Sequence, residues 1–427
     1  MSSNFTHVSL RYVRGSLAAV ALFCASTSLG AAPHRTLDSI ENLDLQINQT
    51  LQHLVAGEIK QARLMSSSMA WRFPDFALAQ LLFAELESVA ASNEVLIADG
   101  HALEHNYIDL LLEAKARLAA ADAEPVQHTP YELVQAGEDV SQVILVDLNR
   151  SMLYQYDTSS DTPVLLRQHY AGSGKAGYGK LREGDNKTPL GVYSIVDFRA
   201  DAALPELYGS GALTLDYPNA LDRQLGRTGY GIWLHGVPRF QLSRSPRSSE
   251  GCVTMSNAHL TRLSRQVDIS TTRIILTDSH TLVADSELKK LRTEYHHLFR
   301  RYQKAWTDKD PSVIQDLYRN TSANETKRTE DNLPVLRPAM TDQRFVSAGY
   351  LNALSSVESQ DISIFLNPGI SSTNPGQHRP DRQDTPEHLV MSARFGSNDE
   401  HQITVYWARS ADDQWYVAAE HIQSAEI

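Results

Sequence analysis

Two side chains in this sequence can do covalent chemistry as a pair. Cys252 lies in Ser249-Glu250-Gly251-Cys252-Val253, and His235 ends the apolar run Gly231-Ile-Trp-Leu-His235, just before Gly236. Seventeen positions separate them (252 − 235). The thiolate is the nucleophile, and a free thiol with a pKa near ~8.5 is only a few per cent ionised at neutral pH. A neighbouring imidazole removes that obstacle by taking the proton. The helix expected from Asn257 would favour the anion through its amino-terminal field. Gly251 lets the backbone approach an incoming carbonyl closely. The N–H groups of Gly251 and Cys252, in a turn that also holds Ser249, are candidate oxyanion donors. Glu250 is an anion beside the thiol and calls for a cationic partner, such as Arg247 or a substrate ammonium. By residue type alone, Cys252 equally fits a buried structural cysteine.

Cysteine usage bears on this choice. The chain has two cysteines, Cys24 and Cys252, so a disulfide framework is excluded. Arg11 and Arg14 precede the apolar run Ser16–Ala25, and small residues follow through Ala32. This is the pattern of a secretory signal, expected to be cleaved after Gly30 or nearby. The apolar run is too short for a stable membrane anchor. Cleavage would remove Cys24 and leave Cys252 as a lone thiol in an oxidising compartment, either inert or present for its reactivity.

Two other patterns carry less. His101 and His105 have the i,i+4 spacing of a helical metal pair, but lack a carboxylate base and a third ligand. They are read as a surface pair. Gly172, Gly174, Gly177 and Gly179 form a glycine-rich loop without the Gly-Lys-Ser/Thr ending or the helix that a phosphate loop requires. No metal and no organic cofactor is expected.

The elements that must position the pair fall into three blocks. The 427 residues are 42% hydrophobic and 21% charged, with 39 basic against 51 acidic residues and a net charge of −12. This composition supports several packed domains and gives no general attraction to nucleic acid. Residues 33–138 read as a helical domain, with an apolar face drawn from Leu43, Leu45, Ile47, Leu51 and Leu54 at mixed helical spacing and further helices over 76–90 and 107–120. That face must be buried somewhere, and a homodimer through these helices is one way to bury it. Residues 139–283 are rich in strands: Val143–Asp147 and Met152–Tyr156 as a hairpin, Thr188–Val196, and Thr272–Thr277. Residues 284–427 combine an amphipathic helix over Glu287–Lys304, a short helix over Val313–Tyr318 and four strands within 361–420, an α+β unit. Residues 320–345 and 367–385 read as loops.

The segment His235-Gly236 … Ser249-Glu250-Gly251-Cys252-Val253 resembles the catalytic motif of the bacterial L,D-transpeptidases. Val143-Ile-Leu-Val-Asp, Gly172-Ser-Gly and Thr188-Pro-Leu-Gly-Val-Tyr look similar to upstream parts of the same domain, so the resemblance covers about residues 140–278. It implies a β-rich catalytic domain, with Cys252 as nucleophile, His235 as base and acid, and the Gly236 carbonyl orienting the imidazole. Most members have His where Glu250 stands, and Arg near Thr254; those positions help to frame the acyl-donor site. The last block, with Trp306, Asp310, Tyr318, Tyr406-Trp407 and Trp415, resembles the cone-shaped α+β fold of the nuclear transport factor 2 family, which would carry a pocket for a ligand the sequence does not name. The three blocks in this order are similar to the cell-shape-determining murein L,D-carboxypeptidases.

The resemblance implies a periplasmic, wall-associated enzyme acting on peptidoglycan stem peptides through a Cys252 acyl-enzyme. An amine acceptor would make it a transpeptidase, and water a carboxypeptidase that trims tetrapeptide stems. A non-catalytic wall-binding protein is the rival class. A papain-like protease would need the cysteine near the mature start and the histidine far downstream, the reverse of the order here.

Overall fold

The computed structural model describes residues 37–92, 105–121, 129–279, 281–318, 348–368, 388–396, 399, 401–410 and 412–424. The expected signal segment, His101 of the histidine pair, the loop at 320–345 and most of that at 367–385 lie outside these residues. The described chain divides into two compact units, residues 1–121 with 240–245, and residues 122–239 with 246–427.

The first unit contains helices α1 (Leu37–Val55), α2 (Ile59–Arg72), α3 (Ala77–Ser92) and α4 (His105–Ala121). Leu43, Ile47 and Leu51 recur at i, i+4 and i+8, so they form one stripe on α1. That stripe packs with Met69, Phe73, Phe76, Leu78 and Leu82 into a single buried cluster. Each such side chain contributes about 1.5–3 kcal/mol when fully buried. Leu45, at the odd spacing, is exposed. Arg117 on α4 joins Asp44 (2.8 Å) and the buried Glu113 (2.9 Å), so neither buried charge is left unpaired. The segment Phe240–Ser245 belongs to this unit: Leu242 packs on the cluster, and the Ser243 hydroxyl donates to Glu113 Oε1 (2.7 Å).

The second unit begins with β1 (Thr129–Pro130) and β2 (Leu133–Gln135), then β3 (Gln142–Asp147), β4 (Met152–Asp157), β5 (Val164–Tyr170), β6 (Ser173–Gly174), β7 (Gly191–Ala200) and β8 (Gly211–Leu215). The short helix α5 (Ala220–Gln224), β9 (Trp233–His235), β10 (Arg247–Ser249), β11 (Val253–Thr254), α6 (Asn257–Gln266), β12 (Thr272–Thr277) and β13 (Leu282–Val283) follow. Among the described residues, the main sheet of this part runs β11-β9-β8-β7-β12-β3-β4-β5. It is mixed: β3 lies parallel to β12, and β9 parallel to β11, while the other neighbours are antiparallel. The central strands β3 and β12 are almost wholly buried, which is why they read as continuous apolar runs without alternation. Ile144, Val146, Tyr193, Leu213, Leu234 and Ile274 anchor the core beneath the sheet.

The rest of the chain supplies α7 (Asp285–Thr307), α8 (Pro311–Leu317), α9 (Ala348–Ser355), β14 (Ser363–Leu366), β15 (His388–Phe395), β16 (His401–Arg409) and β17 (Trp415–Ser424). Leu288, Tyr295, Phe299, Tyr302 and Trp306 on α7 are spaced 7, 4, 3 and 4 apart and all are buried, one apolar face of a long helix. That face packs against the sheet β17-β16-β15-β14-β2. The outer strand is Leu133–Gln135, which lies in the stretch assigned from sequence to the helical domain. It pairs with Ser363–Leu366 more than 200 residues later, and Thr129–Pro130 pairs with Leu282–Val283. The expected cut between the catalytic and carboxy-terminal blocks also lies inside one compact unit. Three residues near a proline, two of them apolar, carry no period that separates strand from helix. Among the described residues, no helix is long and apolar enough to cross a membrane.

Candidate active site

β9 and β11 are parallel neighbours, which sets the segments carrying His235 and Cys252 side by side. Val253 pairs with Leu234 and Thr254 with His235, which places Cys252 at the mouth of β11, beside the strand that ends in the histidine. The Met255 N–H donates to the His235 carbonyl (3.0 Å) and locks the register. His235 is buried, whereas Cys252 is partly exposed, so the sulfur is reachable and the imidazole is held from behind. The thiol donates to the Gly231 carbonyl at 3.3 Å.

The orientation of the imidazole is set by its neighbour in sequence. Nδ1 lies 2.7 Å from the Gly236 carbonyl oxygen. A carbonyl only accepts, so Nδ1 carries the proton and Nε2 is the basic nitrogen. The Tyr208 ring meets the imidazole edge-on, with centroids 4.9 Å apart, and Trp233 packs on Tyr208 at the same separation. The Arg199 guanidinium lies 5.0 Å above the Trp233 ring. Tyr208, Trp233 and Arg199 thus form a wall along one side of the histidine. Burial raises the ionisation of the Tyr208 hydroxyl, and Cys252 and Glu250 add to the rise, so this hydroxyl stays protonated.

Asn257, the first residue of α6, clamps the loop that carries the Gly236 carbonyl. Its Oδ1 accepts from the Ser210 N–H (2.9 Å) and the Val237 N–H (3.2 Å), and its Nδ2 donates to the Val237 carbonyl (2.7 Å). A Cβ on Gly236 would stand 2.1 Å from Asn257 Oδ1 and 3.0 Å from the Tyr208 carbonyl oxygen. Gly236→Ala is therefore expected to lower stability by about 1–3 kcal/mol, as overpacking does. Its displaced carbonyl would lower any activity that needs His235 by roughly 10²-fold. Thermal unfolding and turnover measured on the same preparation check this; a wild-type Tm and rate would show that the loop absorbs the methyl group.

The turn before the cysteine is built differently from its sequence reading. Gly251 has φ +130, and a Cβ there would stand 2.8 Å from the Lys187 carbonyl oxygen. Only glycine fits without strain. Its N–H donates to Ser249 Oγ (3.1 Å), and that hydroxyl donates to the Cys252 carbonyl (2.6 Å). Ser249 and Gly251 thus shape the turn, and the Gly251 N–H, expected as an oxyanion donor, is engaged with Ser249. Arg247 is not the partner of Glu250. It lies on β10, whose backbone pairs with Ser173, and Glu250 instead meets Lys175 (3.3 Å) from the glycine-rich loop. Both side chains are at least half exposed, so the pair contributes little to stability. Thr254 is buried in the sheet, bonded through its backbone to Gly172.

The glycine-rich loop buttresses this turn. The Gly174 N–H donates to Thr188 Oγ1 (2.9 Å), and the Lys175 N–H to the Ser249 carbonyl (2.7 Å). Asp185 accepts from Lys180 (2.9 Å) and from the N–H groups of Leu181, Arg182 and Lys187. Burial opposes its ionisation, but these bonds together hold its carboxyl down at about 2. His259, the nearest other histidine in sequence, is buried with its ring stacked on His169 at 4.0 Å, a packing position. Among the described residues, no group of three His, Cys, Asp or Glu side chains is placed to hold a metal ion.

The family model of the L,D-transpeptidase catalytic domain (YkuD) matches residues 141–276. This segment is an L,D-transpeptidase catalytic domain. The match spans the whole of β3 through β11 and most of β12, and so includes both His235 and Cys252. The transpeptidase domain follows a helical amino-terminal part and precedes an α+β part, the expected multidomain layout. Among solved structures, the chain is similar to Bd1075 of Bdellovibrio bacteriovorus, 22% identical with 70% of this chain and 98% of that chain covered, at a TM-score of 0.49. It is also similar to the helical cell shape determining protein Pgp2 of Campylobacter jejuni, 18% identical with 73% and 99% covered, at a TM-score of 0.45. No curated protein matches the sequence.

Sequence reasoning missed Tyr208, Lys175 and the clamp made by Asn257 around the transpeptidase site. Tyr208 lies 27 positions before His235 (235 − 208), at the end of a single helical turn with no motif to mark it. Asn257 carried one available signal, its place just after a Ser256 helix cap.

Proposed function

We propose that the protein is a secreted cysteine acyltransferase that acts on peptidoglycan stem peptides in the periplasm. The observation that carries this is the tautomer of His235 within an L,D-transpeptidase domain: Nδ1 donates to the Gly236 carbonyl, which leaves Nε2 as the base on the strand beside Cys252. The basic-then-apolar pattern of residues 1–32 supports export.

In this mechanism His235 Nε2 takes the thiol proton as Cys252 Sγ attacks the carbonyl carbon between the diamino acid and the terminal D-residue. The new C–S bond places negative charge on the former carbonyl oxygen, and the protonated Tyr208 hydroxyl is a donor available near the thiol. Collapse of this intermediate breaks the C–N bond, and the leaving amine takes its proton from His235. A thioester on Cys252 remains. Water or an amine then attacks it and gives its proton to His235. Release of the thiol yields a trimmed stem or a crosslink.

The acyl acceptor separates the two activities. Purified protein incubated with disaccharide tetrapeptides, with products resolved by mass, is expected to give tripeptide or crosslinked dimer. Recovery of unaltered substrate under conditions where the thiol still alkylates would favour the wall-binding alternative.

A further inference from the structure

A polar cavity of about 440 Å³ lies between the transpeptidase sheet and the carboxy-terminal sheet, within one compact unit. Its walls bring together Arg223 from α5, Arg273 from β12, Arg394 from β15 and His421 from β17. Three of these elements therefore converge guanidinium groups on one space, beside the ring of His421. Convergence of like charges is unfavourable unless a counter-charge occupies the space.

The protein supplies only part of that counter-charge. Arg273 is buried and is balanced by Asp139, at 3.3 Å. Arg223 and Arg394 donate to one carbonyl each, of Pro218 and Ser270 respectively, and these are their hydrogen bonds among the described residues. Asp268 accepts from the N–H (2.8 Å) and hydroxyl (2.6 Å) of Ser270, and these bonds, with Arg394, keep its carboxyl low, so it is a partial counter-charge to Arg394. The one carboxyl lining the cavity, Asp216, accepts from the Ser194 N–H (2.9 Å). Burial pushes its ionisation up to about 7, so it is only partly charged at neutral pH. Burial and Arg223 keep His421 low, so it is a neutral ring there. The remaining wall includes Gln402 and Thr404, polar groups suited to hydrogen-bonding an anion.

We propose that this cavity binds a small oxyanion, a carboxylate or phosphate group, held between Arg223 of the transpeptidase domain and Arg394 of the carboxy-terminal sheet. A guanidinium presents parallel N–H groups that match two oxygens of either group, which is the geometry such a clamp needs. A bound oxyanion would also tie the two sheets to each other, because its ligands come from both.

Calorimetric titration of the full chain with inorganic phosphate, and separately with succinate, tests this. Saturable binding is expected for at least one of them, weakened about tenfold or more in Arg223→Gln and again in Arg394→Gln. Phosphate alone would identify a phosphate group as the ligand, succinate alone a carboxylate, and both a site for either. Arg223→Lys, which keeps the charge but not the fork, should bind more weakly than wild type and more tightly than Arg223→Gln. Circular dichroism on each variant separates lost binding from lost fold. Absence of binding to both anions, or equal affinity in wild type and folded Gln variants, overturns the proposal. Because turnover is not measured, the outcome is independent of the reaction proposed for Cys252.

Discussion

Cys252→Ala is expected to abolish conversion of stem peptides, and Cys252→Ser to do nearly the same, with the fold retained in both. The sulfur is partly exposed and its bond to the Gly231 carbonyl, at 3.3 Å, is a weak one. Its loss costs little stability. The turn that presents it is held independently, by Ser249 and by the φ of Gly251. Activity depends instead on a polarisable thiolate, which neither methyl nor hydroxyl supplies at neutral pH. Muropeptide conversion and circular dichroism should be measured on the same samples. Continued conversion by a folded Cys252→Ala protein would mean that another residue performs the chemistry.

His235→Ala is the second large effect, a fall of roughly 10²–10⁴ in rate, the usual contribution of a positioned general base. The sign of its pH dependence follows from the chemistry. Without an imidazole, the thiolate forms only as pH approaches the thiol's own pKa, near ~8.5. The variant should therefore gain relative to wild type as pH rises through that range, and the gap should widen below it. His259→Gln is the matched control. Its ring stacks on His169 inside the domain, so its replacement should change Tm more than the pH profile. A His235→Ala enzyme with an unchanged rate at neutral pH would remove the imidazole from the mechanism.

Glu250 stands where most members of the resembling family carry histidine. Its carboxylate points to solvent and meets Lys175, so it does not bear directly on the thiol as an unpaired anion. The expected conflict between a carboxylate and a thiolate is eased by a residue 75 positions earlier in the chain.

The two segments that hold the candidate pair were legible in local sequence. His235-Gly236 and Ser249-Glu250-Gly251-Cys252 are short segments whose parts need one another at close range: a glycine carbonyl one bond from the imidazole, and a glycine of positive φ before the thiol. The long helix α7 was legible for a similar reason, since its buried face repeats at helical spacing across a separation of 18 positions, from Leu288 to Trp306 (306 − 288). The hairpin of β3 and β4 could be read from two apolar runs joined by a short polar turn.

Other features were decided only by tertiary structure. Gly211–Leu215 is buried at every position, so it shows no alternation, yet it lies between β7 and β9 and carries the strand that ends in His235. Leu133–Gln135 takes its place in the carboxy-terminal sheet from a partner 232 positions away (365 − 133). Lys175 reaches Glu250 because β6 pairs with β10, and Asn257 reaches Gly236 because α6 packs on β8, the neighbour of β9. Sheet register and close packing bring these residues together across long stretches of chain. The energies responsible belong to pairs of distant segments, so neither segment's own composition or period contains them.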